Sequence, residues 1–235
     1  MTTQRTRATP PHAEEIAAEV RGRIHRGALG PGDRLPPERE LAGQLGVSRD
    51  RLRDALGVLE RDGYLVRKRG ATGGRFVSEL AAPFASWATR TEHDLDDIVD
   101  YRLAVECQAA RFAAERRTRA DLAALGDAVE RLAAADSPRD YRLADVAFHA
   151  AIAFASRNQR LATAVERARG ELFEPADVLW RDGRNDSLAD HRRILAAIDA
   201  GDPDAAAGAV AEHIERTRHE LRALVRAAAG PAGGP

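Results

Sequence analysis

Leu41-Ala42-Gly43-Gln44-Leu45-Gly46-Val47-Ser48-Arg49-Asp50-Arg51-Leu52-Arg53-Asp54-Ala55-Leu56 holds two short amphipathic runs divided by Gly-Val-Ser. Leu41 and Leu45 put the first run's apolar side inward, and Gly46 closes it. Ser48 is a good N-cap for the second, whose Leu52, Ala55, Leu56 and Leu59 share one face. Upstream, Pro36-Pro37-Glu38 opens the first run, since proline is tolerated in a first turn and glutamate suits the positive helix end. Further back, Ile16, Val20 and Ile24 recur every fourth residue and predict a helix over His12–Leu29, broken by Gly30-Pro31-Gly32-Asp33. Downstream, Tyr64-Leu65-Val66 and Arg75-Phe76-Val77 read as a hairpin across Gly70, Gly73 and Gly74. Three helices and a hairpin in this order make a helix-turn-helix with a wing. In that geometry the first turn of the later helix enters the DNA major groove.

Charge supports this division. The chain of 235 residues has 36 basic and 37 acidic side chains, a near-neutral sum that conceals two unlike parts. Residues 1–78 hold 15 basic and 10 acidic groups, while 79–235 hold 21 and 27. A basic module facing a polyanion and an acidic module with another task are expected. No apolar run is long enough to span a bilayer, and residues 1–12 contain no apolar signal core. Cys107 is the single cysteine and cannot form an internal disulfide; with Leu103, Ala110 and Ala114 at helical spacing it reads as a core position. The expectation is a soluble, cytoplasmic, mostly α protein with no membrane partner.

After residue 90 the pattern is helical throughout. Helices are expected near Asp94–Arg116, Arg119–Ala135, Pro138–Ser156, Gln159–Glu174, Ser187–Ala200 and Pro203–Ala228, with breaks at Asp136-Ser137-Pro138, Arg181–Asp186 and Gly201-Asp202-Pro203. Ser137 and Asp202 each precede a proline, the arrangement of an N-cap followed by Pro at N1. The expected organisation is a disordered tail over 1–8, a winged helix-turn-helix over 9–78, a linker over 79–90, an all-α bundle over 91–228 and a tail over 229–235.

In the basic module, Arg49 and Arg53 lie on one face of the later helix with Asp50 and Arg51 beside them. Arginine's planar fork matches guanine edges and phosphate. Arg67, Lys68, Arg69 and Arg75 load the wing. The run Pro31-Gly32-Asp33-Arg34-Leu35-Pro36, Glu38-Arg39-Glu40-Leu41-Ala42, Gly46-Val47-Ser48-Arg49, Arg53-Asp54-Ala55-Leu56, Leu59-Glu60 and Gly63-Tyr64-Leu65 closely resembles the DNA-binding domain of GntR-family bacterial transcription regulators. The resemblance implies operator contacts from Arg39, Arg49 and Arg53, a phosphate contact at Ser48 and minor-groove approach by Gly70. Three residues depart from the family pattern. Pro37 replaces a serine cap, and Asp50 and Arg51 replace small or uncharged residues. Asp50 could accept from cytosine or orient Arg51 or Arg53, so a shifted operator preference is expected.

In the acidic module, Asp145 and His149 stand one helical turn apart, and His191 and His213 fall on two other expected helices. The spacing permits a shared cation but equally permits a solvated or ion-paired face. Imidazole and carboxylate without sulfur suit Zn, Ni or Mn. Three histidines and one aspartate would leave one or two positions for a ligand carboxylate. Arg102 could clamp that anion or could pair with Glu106, four residues on. His12, His25, His93 and His219 are expected to be surface or structural.

Residues 91–228 look like the FCD effector domain of the FadR subfamily of these regulators. The matching pieces are Asp97-Ile98, Arg102, Glu106, Asp145, Phe148-His149, His191, Gly201-Asp202 and His213-Ile214. This resemblance implies a divalent metal on Asp145, His149, His191 and His213, with a small organic-acid effector beside it. The combined expectation is a ligand-responsive repressor binding a palindromic double-stranded DNA operator as a homodimer. Two alternatives differ from it: a metal-free dimerising DNA-binding protein, and a metalloenzyme, for which the sequence lacks a His-Glu-x-x-His motif, a nucleophile motif and a phosphate cradle.

Overall fold

A computed structural model describes residues 11–70, 73–79, 83, 84, 87, 88, 91, 94–172 and 184–229. The expected tail at 1–8 and His93 lie outside them, as does the expected tail at 229–235 apart from Ala229, which belongs to the last helix. The chain divides into two compact units, Met1–Ile24 with Leu29–Pro83, and His25–Ala28 with Phe84–Pro235.

The first unit contains helices α1 (Pro11–His25), α2 (Glu38–Leu45) and α3 (Arg49–Arg61), then strands β1 (Leu65–Lys68) and β2 (Gly74–Val77). Ile16, Val20, Leu41, Leu52, Leu56, Leu59, Tyr64 and Val77 are buried together as its core. Gly46 ends α2 in the left-handed region, φ 66°, where a β-carbon would be strained. Ser48 then caps α3 by accepting from the Arg51 amide. Pro37 is expected at N1 but lies one position earlier. Its extended ψ of 139° keeps it outside α2, and its carbonyl accepts from the amides of Glu40 and Leu41.

The hairpin pairs Leu65 with Val77, Val66 with Phe76, Arg67 with Arg75 and Lys68 with Gly74. Gly30–Asp33, expected only as a helix breaker, leads into a segment that also covers the outer edge of β2. Leu35 donates to the Arg75 carbonyl, Gly32 donates to that of Val77, and the Val77 amide returns to Asp33. An otherwise open edge is thereby partly closed.

The second unit is helical among the described residues: α4 (Leu95–Arg116), α5 (Arg119–Ala134), α6 (Pro138–Ala155), α7 (Gln159–Glu171), α8 (Arg184–Ala200) and α9 (Pro203–Ala229). Helix α4 packs against α6, α7, α8 and α9. Its buried Ala109, Ala110, Ala113 and Ala114 allow close approach. Ser137 and Asp202 cap α6 and α9 as expected. Thr118 and Asp121 form a reciprocal capping box at α5, and Asn158 caps α7.

Two stretches differ from expectation. Within 79–90, read as a linker, residues 83, 84, 87 and 88 are helical, and Phe84, Trp87 and Ala88 are buried. Their i, i+3, i+4 spacing is a helix signal, which Pro83 at its start obscures. Helix α8 begins at Arg184, inside the expected break, because its first turn, Arg184-Asn185-Asp186, is polar and invisible to apolar periodicity. Cys107 is half-buried rather than a core residue, because α4 turns it toward the edge of the packed face that Ala110 and Ala114 occupy.

Candidate DNA-reading face and metal centre

In the first unit, Arg39, Ser48, Arg49, Asp50, Arg51 and Arg53 are all exposed, as are Arg67, Lys68, Arg69 and Gly70 on the hairpin. Gly70 has φ 108° with open space around its Cα, a conformation that permits close backbone approach. Arg53 differs from its neighbours in being held. Its Nε donates to Glu38 at 2.8 Å, and Nη1 stands 3.6 Å from Asp50. Arg75, expected to load the wing beside DNA, is turned inward. Only 13% of its side chain is exposed, and it is bound at 2.6 Å to both Glu38 and Glu60. It ties the hairpin to α2 and α3 through these two ion pairs. These two arginines hold Glu38 below the usual carboxylate range against the opposing effect of partial burial.

In the second unit, α6 carries Asp145 and His149 one turn apart, α8 carries His191 and α9 carries His213. One ligand atom from each of the four lies within 4.8 Å of the others, and all four residues are buried. The His149 and His213 rings stack at 5.2 Å, and His191 meets His213 edge-on at 4.8 Å. Phe148 packs against His191 at 4.8 Å, giving the cluster an apolar wall.

Acceptors fix two of the three imidazoles, while His213 Nδ1 is buried with no hydrogen-bond partner. His191 Nδ1 donates to the Ser187 carbonyl at 2.6 Å, His149 Nδ1 donates to Glu106 at 3.1 Å, and His213 Nδ1 faces Asp190 at 3.5 Å. With Nδ1 so engaged in His191 and His149, their opposite nitrogens remain for the interior. His149 Nε2 is buried with no hydrogen-bond partner. His191 Nε2 meets Asp145 Oδ1 at 3.1 Å. Two atoms at that distance can share a proton or a metal ion. Carboxylates and carbonyls behind ligating histidines are the usual support of a metal site.

Burial and the nearby Arg169 guanidinium push His149 down to about 3, so its contact with Glu106 is that of a neutral ring. Burial also lowers His213. Burial alone would raise Glu106 and Asp145. Arg102 with Arg169 on the former, and Arg169 on the latter, reverse this and hold both well below the usual range.

Arg102 is 1% exposed, and its Nε donates to Glu106 at 2.7 Å, so the ion pair that the sequence allowed is formed. Sequence reasoning missed Arg169 on α7. Its Nη2 donates to Asp145 at 2.5 Å and its Nη1 to Glu106 at 3.2 Å. It also missed Ser187 and Asp190. Asp190's adjacency to His191 was a usable signal; Arg169 had none, because α7 reads as a charged surface helix. His219 is exposed, and His25 is buried with its Nδ1 3.0 Å from the Gly170 carbonyl, a structural placement.

Two family models match this chain. Residues 12–74 match the model of bacterial regulatory proteins of the gntR family, and 97–216 match that of the FCD domain. The chain is 31% identical over 231 residues to the Uxu operon transcriptional regulator of Escherichia coli, covering 88% of this chain and 86% of that one. It is 29% identical over 211 residues to the HTH-type transcriptional regulator LutR of Bacillus subtilis, covering 84% and 95%. In fold it is similar to Escherichia coli McbR/YncC, with a TM-score of 0.58 at 24% identity, covering 92% of this chain and all of that one. Among the described residues no helix is long and apolar enough to cross a membrane. FCD domains are metal-binding effector domains, and the described residues include a buried His/Asp cluster. The chain belongs to the GntR family of DNA-binding transcription regulators, in the FadR-type subfamily whose second domain is the FCD effector domain, and is a regulator rather than an enzyme.

Proposed function

We propose that this regulator is a cytoplasmic repressor that binds a palindromic operator as a homodimer and senses a small carboxylate through a metal-containing effector domain. Two-fold proteins match two-fold operators, and closed dimers are the commonest oligomers. The residues that would read the operator are Arg39, Ser48, Arg49, Asp50, Arg51, Arg53, Arg69 and Gly70, all exposed on the first unit. Asp145, His149, His191 and His213 would hold Zn, Ni or Mn, whose borderline character suits imidazole and carboxylate. The ion supplies positive charge and coordination positions for effector oxygens, and Arg102 lies near as an anion partner. The single observation that carries this reading is the convergence of one ligand atom from each of these four buried residues within 4.8 Å, with His149 Nε2 unpartnered among them.

Effector binding would shift the population between two arrangements with different operator affinity, by no more than its differential affinity for them. Protein purified without a chelating tag is expected to carry about one metal equivalent per chain, and the His149→Ala variant roughly a tenth or less of that. A mobility shift on operator DNA should weaken when the carboxylate is added to the metal-loaded protein. Metal content below about 0.2 equivalent, unchanged in His149→Ala, would establish the metal-free alternative.

A further inference from the structure

A carboxylate beside an arginine that meets DNA repels phosphate. Glu38, the first residue of α2, is such a group. Its two oxygens are divided between two arginines: Oε1 accepts from Arg75 Nη1 at 2.6 Å, and Oε2 accepts from Arg53 Nε at 2.8 Å. Arg75 is anchored in turn, since its Nε donates to Glu60 at 2.6 Å and most of its side chain is covered. The series Glu60, Arg75, Glu38, Arg53 thus begins and ends on α3 and passes through β2 and α2.

An isolated surface ion pair is worth little, because two long side chains must be ordered to make it. Here Arg75 has already ordered one of them. With both oxygens bonded, Glu38 cannot turn without breaking a second and better covered ion pair. Arg53 is half exposed and gripped at Nε; among the described residues no hydrogen bond engages its terminal nitrogens. Asp50 is a different kind of neighbour. At 3.6 Å from Arg53 Nη1 and 92% exposed, it is solvated and gives no such support.

Arg53 lies one turn after Arg49 on the same face of α3. The grip at Nε fixes the plane of its guanidinium. A fixed fork with idle terminal nitrogens fits a guanine edge, where direction matters. The carboxylate also offsets the charge of Arg53, which makes the pair a poor partner for phosphate, where charge alone suffices.

We propose that Glu38 is a positioning residue for operator recognition: it aims Arg53 at a base edge and withholds it from phosphate, raising selectivity while lowering general affinity for DNA. The inference rests on the reading above that Arg53 contacts the operator.

Binding-site selection with the full chain on a randomised duplex library supplies the probe, and is repeated with Arg53→Ala, Glu38→Ala and the double variant. Fluorescence anisotropy then measures the affinity of each for the selected duplex and for a scrambled duplex of equal length. Arg53→Ala should weaken the selected duplex about 5- to 100-fold and erase the preference at one G·C pair. Glu38→Ala should erase the preference at that same pair and weaken the selected duplex about 5- to 30-fold. It should nevertheless bind the scrambled duplex as tightly as wild type, or up to about tenfold more tightly. On the selected duplex the double variant should be no more than about twofold weaker than Arg53→Ala, because Glu38 acts through Arg53. Equal losses on both duplexes, an unchanged preference in Glu38→Ala, or a double variant that adds the two losses would overturn the proposal and leave the Arg53 contact intact. Should Glu38→Ala melt below the assay temperature, Glu38→Gln decides. Its neutral amide cannot offset Arg53, so the ratio of selected to scrambled affinity must fall at least about fivefold, and an unchanged ratio overturns the proposal. An Arg53→Ala variant of full selectivity, or a wild type that enriches no sequence, would overturn both readings.

Discussion

His149 enters the interior uncharged, and that choice sets how the effector domain responds to acid. Its imidazole sits at about 3 in the folded protein against 6.5 for the exposed ring. Between those values the unfolded chain takes up a proton that the folded chain refuses, so stability falls as pH falls below about 6.5. Asp145 and Glu106, held low by guanidiniums, add loss of the same sign below the ordinary carboxylate range. The melting temperature of metal-stripped protein should therefore be flat above pH 7 and decline from pH 6.5 to 5, less steeply in His149→Gln. A flat profile down to pH 5 would contradict the buried neutral ring. Cys107 offers a second check. Burial and the adjacent Glu106 push its thiol up to about 11. At pH 8 its thiolate fraction, and hence its alkylation rate, should be roughly a hundredfold below that of an unperturbed thiol. The four cluster residues were readable as residue types at workable spacing, but their convergence was not. Asp145 and His149 share a turn, while bringing in His191 and His213 depends on how three helices pack.

Helices were the most legible level, because apolar spacing and caps are local properties. Ser137 and Asp202 before prolines located two helix starts to the residue. Thr118 did the same work unnoticed, since its capping partner is Asp121 rather than a glutamate. Thr118→Ala should cost about 1–2 kcal/mol, because it removes the cap and disturbs a buried aspartate that also binds Arg157; thermal unfolding would measure it. In the basic module, Gly46→Ala should cost about 1 kcal/mol. A β-carbon there meets nothing within 4 Å, so strain at φ 66° is the whole effect. A loss much larger than that would show the turn to be more tightly packed than described. The hairpin strands were legible from alternation, but the covering of the β2 edge by residues 32–35 was not. Backbone pairing between segments about forty residues apart leaves no periodic trace.

At the level of the whole molecule, the near-zero net charge is a sum of two opposed parts, and each part makes its own prediction. On the proposed reading, operator affinity should fall steeply with salt, since each neutralised phosphate releases counterions. Carboxylate affinity should instead fall with a chelator and respond weakly to salt. A binding assay crossing both variables tests the division of labour directly; a chelator effect on operator DNA in the absence of any acid would show the two tasks to be coupled through the metal alone. The support behind the imidazoles bears on time rather than strength. Ser187 and Glu106 orient two of the three rings before any ion arrives, and Asp190 stands 3.5 Å from the third; a site that need rearrange little has no easy first step toward release. An ion so placed would outlast many rounds of effector binding and would be a lasting part of the receptor, leaving changes in free metal concentration unheard.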